Sequence, residues 1–218
     1  MANNMDIQIV AENNEDPNQE SGSTNLLDLV EQSRVVDTEE EADSTFAQVA
    51  GMKPIEGINS PAGWQKEIEE RGLDRNSRSV NFYPPDGSDT VLSVFDRGFP
   101  VAGSGGDEFQ TLLSKDPHPL TASELDSMGE QVLGTLSDKS AFKISRAETR
   151  DLNGQKALVV EGEWLSSNKK FHGYFVPGED NHIQELYFEG VDPSFSKHFS
   201  DAFDSINSVR WKEAQAGD

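Results

Sequence analysis

The stretch DLNGQKALVVEGEW, residues 151–164, carries the reading of the whole fold. Asn153-Gly154 accepts the positive φ angles of a type I′ turn, so Asp151-Leu152-Asn153-Gly154 predicts a two-residue hairpin loop. QKALVVEGEW then leaves the turn as a strand. With FKISRAETRD before it, and KFHGYFVPG and HIQELYFEG after it, the region reads as a four-strand antiparallel meander. Glu161 and Glu163 alternate with Val160 and Gly162 and share one face of their strand. Paired carboxylates are what acid/base chemistry needs, but nothing else in the sequence converges on these two, and the expectation is the solvated face of a sheet.

Working outward, RSVNFYPPDGSDTVLSVFDRG predicts a hairpin, with Val80 and Phe82 before the turn PPDGSD and Val91 and Phe95 after it. GINSPAGWQKEIEERG gives a short extended segment and a Pro-Ala-Gly turn leading to Trp64. PVAGSGGDEFQTLLSKDPHPL reads as a loop with a helical turn around Phe109–Leu113. Thr121 and Glu124 then form a capping box, and Leu125, Met128, Val132, Leu133 and Leu136 recur at helical spacing. Asp192-Pro193 opens a last helix, with Pro193 expected at its first position; Phe195, Phe199, Ala202, Phe203 and Ile206 line one face. The predicted class is α+β, an antiparallel meander covered by helices, with no βαβ alternation.

The chain has 218 residues, is 34% apolar and carries 40 acidic against 18 basic residues, a formal charge of −22. Such a surface disfavours nucleic acid and anionic membranes, where binding rests on cations that replace counterions, and it attracts basic partners. The absence of cysteine removes disulfides, thiolate nucleophiles and Cys-ligated metals. No apolar run reaches the length of a membrane span, and the start MANNMDIQIVAENNEDPNQE has no signal-peptide pattern. The chain as given therefore reads as cytoplasmic, or as periplasmic or extracellular if a signal has been trimmed.

Half of the net charge lies in residues 1–50, which hold 12 acidic residues and one basic residue, Arg34. With no aromatic before Phe46, this stretch reads as a disordered acidic tail, and residues 213–218 as a flexible C-terminus. Leu26, Leu27, Leu29 and Val30 follow the N-cap candidates Thr24 and Asn25, so a short helix is expected at 25–33. Two readings stand for it: transient helicity without a role, or a docking peptide for a partner groove or its own domain. DPNQESGSTNLL resembles the start of an EF-hand, but Gly22 falls one place late and Leu27 stands where a bidentate Glu belongs.

Three stretches resemble the PsbP-like family, which includes photosystem extrinsic proteins, DcrB-type bacterial lipoproteins, the Ran-binding nuclear import factor and Eag-type effector chaperones. They are SPAGWQ (Ser60–Gln65), similar to the family's P-x-G-W approach to the first strand; the N-G-x-x-A pattern within DLNGQKALVVEGEW; and FSKHFSDAFDSINSVRW, similar to the family's terminal helix, turn and last short strand. The resemblance spans residues 52–212 and implies one PsbP-like domain. Members often are exported or lipid-anchored, and the chain as given has neither a signal nor a lipobox Cys. The family mostly binds proteins, or apolar helices in its chaperone branch, and no catalytic motif carries across.

For chemistry, the sequence offers His118, His172, His182 and His198, none in a metal-binding pair motif. A metal would need His172, His182 and carboxylates to meet across strands; surface histidines are the expectation. AGSGG (102–106) resembles a nucleophile elbow at Ser104 without the parallel sheet an elbow needs, and it reads as a mobile loop. The function expected is therefore a noncatalytic, protein-binding accessory or assembly factor, without cofactor or metal, whose partner is basic or apolar. Its candidate contacts are Leu26, Leu27, Leu29 and Val30 in the tail and Trp164, Phe171, Tyr174 and Phe188 on the strands. The alternatives are a chaperone for apolar helices of a secreted or membrane-inserting partner, which needs an open apolar sheet face, and a serine hydrolase using Ser104.

Overall fold

The structure, a computed structural model, describes residues 46–49, 54–71, 77–101, 103–178 and 181–212. The expected tail helix, the tail contacts Leu26, Leu27, Leu29 and Val30, and the C-terminus 213–218 lie outside the described residues.

The meander is β6 (Phe142–Leu152), β7 (Gln155–Trp164), β8 (Lys170–Pro177) and β9 (Ile183–Gly190). Its first turn has the required backbone, with φ of 52° at Asn153 and 87° at Gly154. The turn also anchors the far end of the chain. Asn153 Nδ2 donates to the carbonyls of Asn207 and Val209 at 2.7 and 3.0 Å, and Trp211 Nε1 donates to the carbonyls of Leu152 and Asn153, both at 3.1 Å.

The predicted hairpin is β4 (Ser77–Tyr83) and β5 (Thr90–Asp96), to which β3 (Gln65–Arg71) adds. β5 pairs antiparallel with β9, so one seven-stranded sheet runs β3-β4-β5-β9-β8-β7-β6. Within the hairpin Val80 faces Val94 and Phe82 faces Leu92; these four are its buried apolar residues, whereas Val91 and Phe95, expected to serve there, point to the opposite face and are half-buried. A second sheet joins β1 (Phe46–Gln48), β2 (Ile55–Asn59) and β10 (Arg210–Trp211). β1 corrects the boundary drawn at residue 52: Phe46–Gln48, inside the segment assigned to the tail, pairs with β2.

Three helices complete the α+β architecture. α1 (Gly105–Ser114) is longer than the expected turn and begins within the glycines that read as a loop. α2 (Ala122–Leu133) carries the predicted capping box, with Thr121 accepting from the Glu124 amide and Glu124 accepting from the Thr121 amide. It is broken at Gly129 (φ 41°, ψ −157°), a conformation essentially reserved for glycine, and runs into a 3₁₀ turn at Gly134–Ser137. α3 (Ser194–Asn207) is the terminal helix. Pro193 sits at the N-cap rather than at the first helical position, because the Asp192 carboxylate supplies the cap from outside by accepting from the Ser196 amide and hydroxyl.

The seven-stranded sheet is the middle of three layers. On one face Val159, Tyr174, Leu186 and Phe188 pack with the small sheet and α3. On the other, Leu158, Val160, Phe171 and Phe175 pack with α1, α2 and the 3₁₀ turn. The unbroken run Ala157–Val160 is buried on both sides, as strand residues covered on two faces must be.

Candidate functional site

The sheet alternation sorts the strand aromatics. Trp164 and Phe171 face the α1–α2 layer, while Tyr174 and Phe188 face α3. Phe171, Tyr174 and Phe188 are buried, so the four expected contacts form no single outward patch, and over β7–β9 the described elements leave no open sheet face of the kind a chaperone for apolar helices was expected to use.

Two of the four nevertheless line a groove. A depression of about 640 Å³ runs between the loop after β5 and the end of α2, floored by Trp164, Phe171 and Tyr187 and walled by Val101, Leu133 and Leu136. Phe171 stacks on Tyr187 at 5.5 Å, and Phe142 meets Trp164 edge-on at 5.0 Å. Phe99 stands at the mouth, 60% exposed. Leu133 and Leu136 also line an apolar depression of about 440 Å³ on the other flank of α2, where Leu165 is 48% exposed. Leu133 and Leu136, after the break at Gly129, are shared by the two depressions, and Gly129 itself lines the smaller one. Phe99 and Leu165 are the large apolar side chains most exposed among the described residues.

The groove is acidic as well as apolar. Glu130, Glu185 and Glu189 line it together with Arg97, which pairs with Glu185, so Glu130 and Glu189 are its unbalanced carboxyl groups. Burial pushes the Glu185 carboxyl above the usual carboxylate range, and Arg97, with Nε 2.7 Å from Oε1, pulls it back. Arg97 also donates to the carbonyls of Gln131 at 3.0 Å and Val132 at 2.6 Å, fixing the end of α2 to the sheet. Burial likewise raises Glu189, opposed by the Trp164 indole N–H at 3.2 Å.

The residues weighed for chemistry lie elsewhere. Glu161 and Glu163 share a face, but it is not a fully solvated one. Glu161 is half-buried, 3.6 Å from Arg146 and 3.4 Å from His172 Nδ1, because α3 covers part of this face. His172 and His182 do not meet: His182 lies 3.6 Å from Asp96. Nor are all four histidines on the surface, since His172 and His198 are buried, His198 against Trp64 and the Asp86 carboxylate. Ser104 stands at the N-cap position of α1 without a side-chain capping bond, and its hydroxyl donates to Glu108 at 2.9 Å; among the described residues no histidine is hydrogen-bonded to it. Among the same residues no three His, Asp or Glu side chains converge as a metal site, and no helix is long and apolar enough to cross a membrane.

Sequence reasoning missed Phe99, Leu165, Arg97 and Glu189. The available signal was RGFPVAG (97–103): an aromatic set among Gly and Pro belongs to no predicted strand or helix face, so nothing in the chain's own periodicity buries it. No family model and no curated protein matches the chain.

Proposed function

We propose that this protein is a noncatalytic binding module, an accessory or assembly factor that holds an apolar, positively charged segment of a partner protein. The observation that carries this reading is the groove beside the broken helix α2, which combines an exposed Phe99 and an aromatic floor with carboxylates on its walls. Aromatic anchors in a concave patch are the usual source of binding energy, and exposed apolar surface of this kind marks interaction sites. The charge of −22 favours a basic segment and speeds its approach. The order of elements (hairpin, helices, meander, terminal helix) supports placing the chain near the PsbP-like proteins, whose members mostly bind proteins. The chaperone reading rests on the same groove, with an apolar helix as its occupant.

The test compares a fluorescent amphipathic Leu/Lys peptide with a Leu/Glu peptide of the same apolar face, by anisotropy. The full chain binds the Leu/Lys peptide, and Phe99→Ser weakens it by about tenfold or more. Because Phe99→Ser leaves the net charge unchanged, equal binding by variant and wild type would reduce the interaction to bulk electrostatics and overturn the reading.

A further inference from the structure

On the side of the sheet away from the groove, aromatic packing holds α3 in place. Phe195 stacks on Phe188 at 4.9 Å, and Phe199 stacks on Phe203 at 5.8 Å. Against these rings lies His172 of β8, 5% exposed, whose imidazole meets Tyr174, Phe199 and Phe203 edge-on. Its Nδ1 lies 3.4 Å from the Glu161 carboxylate of β7. Its Nε2 is buried and has no hydrogen-bond partner among the described residues.

That enclosure suits a neutral ring and not a cation. An imidazolium carries a proton on both nitrogens. Its Nε2–H would be buried without an acceptor, and ring faces return only part of the hydration lost. Glu161 balances the charge only in part, because it also lies 3.6 Å from Arg146 of β6. Arg150 of β6 donates to the neighbouring Tyr174 hydroxyl at 3.4 Å, and Glu148 pairs with both arginines. α3 faces the imidazole with the Phe199 and Phe203 rings. Burial above all, and then Arg150 and Arg146, depress the His172 pKa against the pull of Glu161.

We propose that His172 is an acid-sensitive latch: proton uptake by its buried ring in mildly acidic solution loosens α3 from the sheet and uncovers Tyr174 and Phe188. With α3 lifted, the imidazole meets water and binds its proton at the ordinary value, so the opened state is the better base. The docked state is therefore fully favoured above about pH 6.5. Below that it loses ground by up to about tenfold per pH unit, until the docked ring also takes the proton. The carboxylates that tether the start of α3 do not share this response. Lys197 and His198 hold Asp86, and Lys170 and Ser196 hold Asp192, below the usual carboxylate range, so both stay charged at pH 5.

The test is amide hydrogen exchange of the full chain at pH 7, 6 and 5, read residue by residue by NMR and corrected for the intrinsic pH dependence of exchange. Opening constants at Phe199–Phe203 are expected to rise by about tenfold from pH 7 to pH 5, and those of β4 and β5 by less than about twofold. His172→Phe, if folded by circular dichroism, abolishes the rise. Glu161→Gln, which keeps the histidine and removes the carboxylate that favours its charge, enlarges it. The proposal is overturned by α3 constants that do not change with pH, or that rise in step with β4 and β5. A rise that persists in His172→Phe, or one that Glu161→Gln leaves unchanged or diminishes, overturns it equally.

Discussion

Arg97 joins the sheet to the helix layer through Glu185: its Nε lies 2.7 Å from Glu185 Oε1 while its other guanidinium nitrogens hold the carbonyls of Gln131 and Val132. Both side chains are about nine-tenths buried, so removing one partner strands the other. Arg97→Met is expected to cost about 3–5 kcal/mol near neutral pH. Glu185 has a raised folded pKa, so its stabilising contribution is present below the unfolded value and lost as pH rises through the folded one. Without Arg97 that loss deepens, so the variant is less handicapped at pH 5 than at pH 8, and adding Glu185→Gln restores part of the stability. Urea unfolding at both pH values checks this; a pH-independent penalty would contradict it.

The Asn153 turn joins the meander to the chain's end. Asn153→Ala loses a residue tolerant of φ near 52° and two side-chain hydrogen bonds to the end of α3. The expected cost is about 2 kcal/mol, a fall in Tm of roughly 4–8 °C for a domain of this size. Thermal unfolding followed by circular dichroism would show it, and an unchanged Tm would mean that the turn and the last strand are independent.

Thr121→Ala removes the hydroxyl that accepts from the Glu124 amide. The expected loss is about 1 kcal/mol, with an unchanged denaturant slope because the surface exposed on unfolding stays the same. A loss above about 3 kcal/mol would assign the residue more than a cap.

Glu189 gives the groove a pH dependence. Burial places its carboxyl above the usual range, and the Trp164 N–H opposes the shift. Its negative charge is therefore lost at a higher pH than for a surface Glu, and affinity for the Leu/Lys peptide is expected to fall as pH drops through that value. Trp164→Phe removes the donor and moves the midpoint upward; Glu189→Gln abolishes the step. Anisotropy titrations from pH 4 to 8 distinguish these outcomes, and an unchanged profile in Glu189→Gln would exclude Glu189 from the site.

The meander, the hairpin and the capped helix were legible because each has local determinants: a positive-φ Asn-Gly pair, period-2 apolar residues, and a Thr–Glu box. β3 was not, since QKEIEER offers only Ile68 as an apolar side chain; it is an edge strand, where charged side chains guard against unwanted pairing. α1 was read short because its first turn is Gly105-Gly106. At the site, parity along one strand already separates Phe171 from Tyr174: three residues apart, they point to opposite faces. Which face keeps a groove depends on how the end of α2 and the loop that carries Phe99 pack on the sheet, and tertiary packing sets both.

The central claim is that the groove beside α2, rather than the acidic surface at large, holds a basic apolar segment. Backbone amide and tryptophan indole shifts of the full chain, titrated with the Leu/Lys peptide, test it most directly. The account predicts saturable shifts concentrated at Phe99, Val101, Leu136, Trp164 and Tyr187, which line the groove. Shifts spread over acidic residues on all sides, with the Trp164 indole unmoved, would contradict it.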